Sequence, residues 1–497
     1  MDGTTPSSAL SLSNRALTRL PAQVKRPEYE RGGIRKAIVH LGVGGFHRAH
    51  QAVYTDSVIA AGDRSWGICG AGIMERDAAM RDALAPQDYL YTVVARTAES
   101  EEARVVGSII DFTLGANGSK GVIARLADPE TRIISLTVTE NGYHFRGDTG
   151  ELDFESPVIQ SDLRDPRHPK SVIGYLAECL RLVRAEGRRP PTVLSCDNLP
   201  HNGRRLRGLV TAYARRIDPE LAAFIDGEVS FPCTMVDRIT PATRDRDRVY
   251  LREHFGIEDR WPVFCEGFIQ WVIEDDFPLG RPDWSTGGAQ FVADVIPYEL
   301  MKIRLLKGSH SALSYLAYLL GHRDVDKAMA DPLVAEFVTG YIGEIEPTVG
   351  AVPGIDLRQY RKTLIARFSN PAISDQVARL AMEGSRKIPN SVADPLRELL
   401  SRNLPVSHIA FAIAAWIRFL AGKDESGAPI EIDDPYRDRI MAAAAESIES
   451  AAPFLAMQEV FPEQIAANTR FVESVTRYLR EIRRLGVKGA LVARSKA

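Results

Sequence analysis

The sequence predicts an α/β fold with a mostly parallel sheet in its first part, followed by a mainly α-helical domain. Three observations lead there. The chain has 497 residues, more than one hydrophobic core usually covers, which calls for two or more domains. Up to about residue 290, short β-branched runs alternate with helical patterns, and strands joined by helical crossovers lie parallel. Beyond that point strand signals thin out and apolar residues recur every three to four positions.

In chain order, the strand candidates are "KAIVHLG" from Lys36, "WGICGAGI" from Trp66, "RIISLTVTE" from Arg132, "TVLSCDN" from Thr192 and "VFCEGFIQWV" from Val263. The later helices are read from "HSALSYLAYLLG", "VSHIAFAIAAWIRFLAG" and "NTRFVESVTRYLREIRRLG". The change of rhythm sets the domains at 1–290 and 291–497. No internal repeat or low-complexity tract interrupts them.

Lysine plus arginine (62) nearly balance aspartate plus glutamate (65), so nothing draws the chain generally to nucleic acid or to an anionic membrane. A small, locally recognised ligand fits better. Cys69, Cys179, Cys196, Cys233 and Cys265 are odd in number, widely spaced and never in C-x-x-C, which argues against a disulfide framework and a tetrahedral zinc site. A cytoplasmic setting is expected. The opening stretch "MDGTTPSSALSLSNRALTRL" lacks an apolar h-region, and no later window approaches about eighteen uninterrupted apolar residues, so neither a secretory signal nor a membrane span is expected.

The first chemical motif is "AIVHLGVGGFHRAH", a β-branched run that stops at a glycine turn and enters a helical pattern. Gly42 suits the tight turn, and Gly44 lets the backbone approach a pyrophosphate at a helix N-terminus, where unpaired N–H groups and the dipole favour anions. Gly42, Val43, Gly44, Gly45, Phe46, His47 and Arg48 are therefore the candidate cofactor cradle. His47 stands where the full G-x-G-x-x-G would have its last glycine, so the same residues also suit a βα turn whose glycines serve packing alone. After the second strand, Glu75 and Asp77 in "GIMERDAAM" offer a carboxylate for an adenosine ribose, which would repel the extra phosphate of NADP. They lie farther from the glycines than the usual spacing of about 20 residues, and two acids at a helix start also serve as dipole partners.

Long ordered stretches then carry a resemblance: "HLGVGGFHRAHQAVYTD", "SLTVTENGYH", "SCDNLPHNG", "FPCTMVDRITP", "MKIRLLKGSHSALSYLAYLLG", "AVPGIDLRQY" and "RFSNPAISDQVARLAMEGSRKIP". In these the chain resembles the mannitol 2-dehydrogenase family, the polyol-specific long-chain dehydrogenases. The resemblance implies a Rossmann-type N-terminal domain, a helical C-terminal domain, a site between them and no metal. It further implies reversible oxidation of a secondary alcohol with NAD or NADP taking the hydride, mannitol and fructose being the leading pair. With Glu75 and Asp77 placed as above, NAD is the expected cofactor. The partner is a small polyol or ketose, and long members are often monomers.

Oxidising a secondary alcohol needs a base for the hydroxyl proton and a donor for the developing alkoxide. Lys302 stands where the family has its catalytic lysine. A lysine serves as base only if its pKa falls well below about 10.4, through desolvation or neighbouring positive charge. Ile303, Leu305 and Leu306 offer the first, Arg304 and Lys307 the second; the plain alternative is a snorkelling side chain on an amphipathic helix. By resemblance His310 orients the substrate, although eight residues of straight helix separate it from Lys302 by roughly 12 Å. Substrate spanning both, a break near Gly308, or a reach from the helix beginning would each reconcile them. Asn198 follows a strand end, where open α/β sheets collect ligands, and by resemblance its amide donates to the carbinol oxygen. Asp197, Asn202 and Gly203 beside it equally make a capped turn. Resemblance also places Asp237, Arg379 and Lys387 at the substrate and makes Glu299 a proton relay to solvent.

One position departs from the family pattern: "LLNGSH" is expected where this chain has "LLKGSH", so Lys307 replaces an asparagine that would help hold the substrate oxygen. A lysine donates to an alkoxide but adds a full charge and accepts nothing. The alternatives kept open are a fructuronate reductase, acting on mannonate, and a non-catalytic nucleotide-binding sensor.

Overall fold

The computed structural model describes residues 9–115, 118–147, 149–373 and 375–495. It divides into two units, Met1–Val295 and Ile296–Ala497. The division falls after residue 290 because Gln290–Val292 still forms a strand, paired parallel to Gln270–Glu274 of the first unit.

Five strands form the central sheet of the first unit: β1 Ile38–Leu41, β2 Ile68–Gly72, β3 Ile109–Leu114, β4 Ile133–Leu136 and β5 Thr192–Ser195. Their spatial order is β3-β2-β1-β4-β5, every neighbour parallel. This is the Rossmann order, with its topological switch between β1 and β4. All residues of β1, β2, β4 and β5 are buried. That follows from covering a parallel sheet on both faces, and it makes the strands read as continuous apolar runs. Side chains alternate between the layers: Val39, Leu41, Ile134 and Leu136 enter one core with the helices Val172–Ala185 and Asn202–Ile217, whereas Ile38 and Ile133 enter another with Trp271 and Trp284. His40 and Ser135 thus share the second face, directly opposite one another in register.

The stretch "VFCEGFIQWV" is two strands, not one. Val263–Glu266 pairs parallel with Tyr91–Arg96, while Gln270–Glu274 pairs antiparallel with Thr234–Asp237. Tyr91–Arg96 also forms an antiparallel hairpin with Glu101–Val106, so the parallel rule holds for the central sheet but not for the whole unit.

The second unit is helical. Ile296–Met301 runs into a π-helical turn, Lys302–Lys307, and continues as Gly308–Leu319. That last helix packs against Ser407–Phe419 and Pro332–Ile345. The C-terminal helix Thr469–Ser495, kinked at Gly486, covers Ser407–Phe419. Among the described residues no helix is long and apolar enough to cross a membrane.

Candidate active site

In the first unit, the candidate residues gather at the carboxyl ends of the central strands. After β1, Gly42 has φ +88°, a conformation natural only to glycine, and a Cβ there would overlap the Thr137 carbonyl just past β4. The turn therefore presses against the far side of the switch point. Its tightness is fixed by Gly44 N–H, which donates to the Gly42 carbonyl at 2.8 Å. Gly44 caps the short helix Gly45–Ala49, and a Cβ on it would meet nothing nearer than 3.9 Å. Open space thus lies where a pyrophosphate needs the backbone bare, and the turn fits a dinucleotide.

The helix breaks at His50 (φ −123°, ψ −97°) and restarts as Gln51–Ala60. His47 and Arg48 are fully interior. The His47 ring stacks on His40 at 3.4 Å, and Arg48 lies over the Tyr91 ring and donates to the Trp261 carbonyl. His47 and Arg48, expected in the cofactor cradle, are thus packed behind the glycine turn with their side chains in the interior.

Glu75 and Asp77 follow β2 as expected, but they differ. Asp77 Oδ2 accepts from the N–H groups of Ile73 and Met74, both at 2.9 Å, and so caps the turn. Glu75 is exposed and carries no such commitment.

At the end of β5, Asn198 is exposed on a turn built by its neighbours. Asp197 accepts from Val138 N–H, Thr139 N–H and Tyr143 Oη, while Asn202 bridges the Asp197 carbonyl to both the main chain and hydroxyl of Thr234. Burial lifts the Asp197 carboxyl above the ordinary carboxylate value despite these donors. The capped turn and the presented amide are therefore one structure: the caps hold the loop that displays Asn198. Thr139, gripped by Asp197, has φ +63°, a strained conformation for a β-branched residue. Asp237 is buried at the end of Thr234–Asp237, with Arg238 beside it donating to the carbonyls of Ala49 and Glu266.

In the second unit, the segment around Lys302 is neither straight α-helix nor broken. Gly308 stays helical (φ −60°, ψ −44°), and it is the turn before it that widens into a π-helix. Such turns recur at functional sites. A second π turn, Pro389–Ala393, packs against the first, and a Cβ on Gly308 would lie 2.8 Å from the Ser391 carbonyl. The glycine is what lets the two turns meet. Lys302 is buried at 6 % exposure and Glu299 likewise, whereas Lys307 and His310 share a half-exposed face. His310 packs on the Phe368 ring at 4.7 Å.

Arg304 does not add bare charge beside Lys302. Its guanidinium donates to both oxygens of Glu398, at 2.9 and 2.5 Å, and to the Thr348 carbonyl. Lys387 lies at the end of the short helix Gly384–Ile388 that leads into the second π turn, within electrostatic reach of Lys307. Burial pushes the Lys387 ammonium below the ordinary lysine value, and the charges of Arg379 and Lys307 push it further, against Glu383 and Asp433. Arg379 itself is largely exposed and paired with both oxygens of Asp375, at 2.8 and 2.5 Å. Among the described residues no group of three or more His, Cys, Asp or Glu side chains is arranged to hold a metal ion.

Sequence alone shows Asp197 as a cap of its turn but not its reach to Val138, Thr139 and Tyr143, nor the strained Thr139 or the His40–His47 stack. Three histidines in "HLGVGGFHRAH" were the available signal for the last.

Comparison with known proteins follows this geometry closely. The profile of the mannitol dehydrogenase Rossmann domain matches residues 36–286, and that of the mannitol dehydrogenase C-terminal domain matches residues 294–483. Mannitol 2-dehydrogenase of Aspergillus oryzae is 42 % identical over 490 residues, covering 96 % of this chain and 98 % of the relative. Mannitol 2-dehydrogenase of Pseudomonas fluorescens, solved as a ternary complex with NAD and D-mannitol, superposes with a TM-score of 0.86 at 42 % identity, over 98 % of this chain and 100 % of that one. A substrate-free D-sorbitol dehydrogenase gives a TM-score of 0.91 at 35 % identity, over 97 % and 100 %. Matched in both halves and alike nearly end to end, the chain belongs to the mannitol dehydrogenase family.

Proposed function

We propose that the protein is an NAD-dependent polyol dehydrogenase that interconverts a polyol and a ketose, mannitol and fructose foremost. The observation that carries this reading is the nearly full-length likeness to the relative solved with NAD and D-mannitol. A cytoplasmic monomer is part of the proposal. All five cysteines are buried free thiols, and large exposed apolar side chains are few among the described residues.

NAD, when bound, accepts the hydride leaving the carbinol carbon. The backbone of Gly42, Val43, Gly44, Gly45 and Phe46 holds its pyrophosphate, and Glu75 accepts from its adenosine ribose. Lys302 takes the hydroxyl proton, for which its burial is suited, since desolvation favours the neutral amine. Asn198 donates to the carbinol oxygen as charge develops there. The His310 imidazole, which both donates and accepts, orients a neighbouring hydroxyl. Asp237, Arg379 and Lys387 fix the remaining hydroxyls, and Glu299 passes the proton onward. No metal enters this scheme; the alkoxide charge is met by the Asn198 amide and by lysines.

The test is NADH formation across mannitol, arabinitol, sorbitol and mannonate with NAD and NADP. Oxidation of a neutral polyol with NAD supports the reading, and absence of turnover with every pair would leave the sensor alternative. Glu75→Ala should lower the ratio of NAD to NADP efficiency about tenfold or more by removing charge repulsion. An unchanged ratio would take discrimination away from Glu75. Asp77→Ala should instead lower thermal stability, since it strips a cap worth about 1 kcal/mol.

A second reading has its own observation. Lys307 and Lys387 place two cations within electrostatic reach of each other on a half-exposed face, an arrangement suited to a carboxylate. Fructuronate reduction uses such a substrate. Lys307→Asn should shift preference from mannonate toward neutral polyols, and matching polyol-to-mannonate ratios in both proteins would make Lys307 a bystander.

A further inference from the structure

Behind the glycine turn runs a line of polar groups, buried at Gln51, Ser135 and His40 and part-buried at Thr137. His40 Nδ1 lies 2.8 Å from Ser135 Oγ, and Nε2 lies 2.9 Å from Thr137 Oγ1. Ser135 Oγ is also 2.8 Å from the side-chain amide oxygen of Gln51, and Thr137 Oγ1 is 2.8 Å from the Gly42 carbonyl. Only Thr137 Oγ1 can donate to that carbonyl, so its oxygen must accept from His40 Nε2–H.

Two proton arrangements then satisfy every contact. In one, His40 is a cation donating from both nitrogens. In the other, the Gln51 amide is turned by 180°, its Nε2 donates to Ser135, and Ser135 donates to a neutral Nδ1. Physical chemistry separates them. The His40 ring is 0 % exposed, stacked face to face on His47, and no carboxylate accepts from it. A buried charge without a counter-ion is strongly disfavoured. The turned amide pairs Gln51 Nε2, a donor that is unpartnered in the other orientation, in exchange for Oε1, so the uncharged ring decides between the two arrangements.

We propose that His40, as the neutral Nε2–H imidazole, is a positioning residue for the nucleotide-binding turn, acting through a one-way chain of hydrogen bonds from Gln51 through Ser135, His40 and Thr137 to the Gly42 carbonyl. That carbonyl accepts on its other side from Gly44 N–H, so both of its lone pairs are filled and the glycine that faces the pyrophosphate is held in place. The register that sets His40 beside Ser135 across the switch point is the reason the chain can form. The inference rests on the reading of this crevice as an NAD site.

The test is titration of NADH by fluorescence, with steady-state kinetics, on Thr137→Val and Thr137→Ser. Thr137→Val keeps shape but removes the last donor and leaves the buried His40 Nε2–H without an acceptor; it should weaken NADH binding about tenfold, as expected for a buried donor left unpaired, and raise KM for NAD while kcat at saturation stays within about threefold. Thr137→Ser, which restores the hydroxyl, should bind within about twofold of the wild type. His40→Leu combined with Thr137→Val should be no worse than the poorer single variant. Unchanged NADH affinity in Thr137→Val would overturn the proposal alone, whereas a wild type that binds no nicotinamide nucleotide would overturn the cofactor reading beneath it. Nitrogen NMR of labelled histidine needs no variant: a non-titrating Nε2–H tautomer is expected for His40, and an imidazolium or Nδ1–H signal would refute the chain.

Discussion

Lys302→Ala is expected to lose roughly two to four orders of magnitude in turnover, the range for removing a general base, while binding NADH almost normally. The separation follows from the fold. Lys302 lies in the helical unit, on the π turn Lys302–Lys307, whereas the nucleotide cradle is formed by the turn after β1. On the proposed reading, deleting the amine removes the proton acceptor and leaves the cradle intact. Oxidation by the wild type should rise with pH as the lysine loses its proton, and the variant should lose that limb of the profile. An added small amine should restore part of the rate. A variant oxidising mannitol at close to the wild-type rate would refute the assignment. Normal NADH affinity together with lost rate distinguishes the lost base from a misfolded enzyme, since misfolding would lower both.

The surroundings of Lys302 show how far sequence can be followed. β1, β2, β4 and β5 are legible because each is a short, continuously buried run without charged residues, β-branched in β1, β4 and β5. β3 is not, because Asp111 and Thr113 interrupt "IIDFTL" and give it an edge strand's mixed burial. In the site, the Gly42 turn and Asn198 are legible as strand ends at a ligand-collecting edge. The π turn is not, because every residue of "KIRLLKGSH" suits an ordinary helix; the neighbouring π turn that packs on it, through Gly308 and Ser391, comes from far along the chain. Arg304 reads as one more cation near Lys302 for the same reason, its partner Glu398 lying 94 residues away. Asp77 and Glu75 look equivalent in sequence. Only the backbone path after β2 assigns one to capping and leaves the other to solvent.

The stability of the first unit should fall steeply on acidification below about pH 6.5, and His40 and His47 are the cause. Burial holds the His40 imidazole down to about 3. It holds His47 well below the ordinary value too, helped by the positive charge of Arg48 and by the repulsion that His40 and His50 would add once protonated. The folded values lie below the unfolded ones, so the unfolded chain binds more protons and stability rises with pH. Their contribution is complete above about pH 6.5 and is lost progressively as pH falls toward about 3. His40 gives a slope of about 1.4 kcal/mol per pH unit below the unfolded value, and His47 steepens it in the same direction. Over about two pH units the loss is a substantial share of a typical domain's roughly 5–15 kcal/mol. Asp197 and Asp259, whose carboxyls burial raises, titrate in the opposite sense and temper the loss near the lower end. Denaturant unfolding between pH 7.5 and 4.5 measures the slope. His47→Phe keeps the stack on His40 but cannot take a proton, so it should lower the slope, while a wild type of constant stability between pH 6.5 and 5 would show that the buried pair does not govern acid sensitivity.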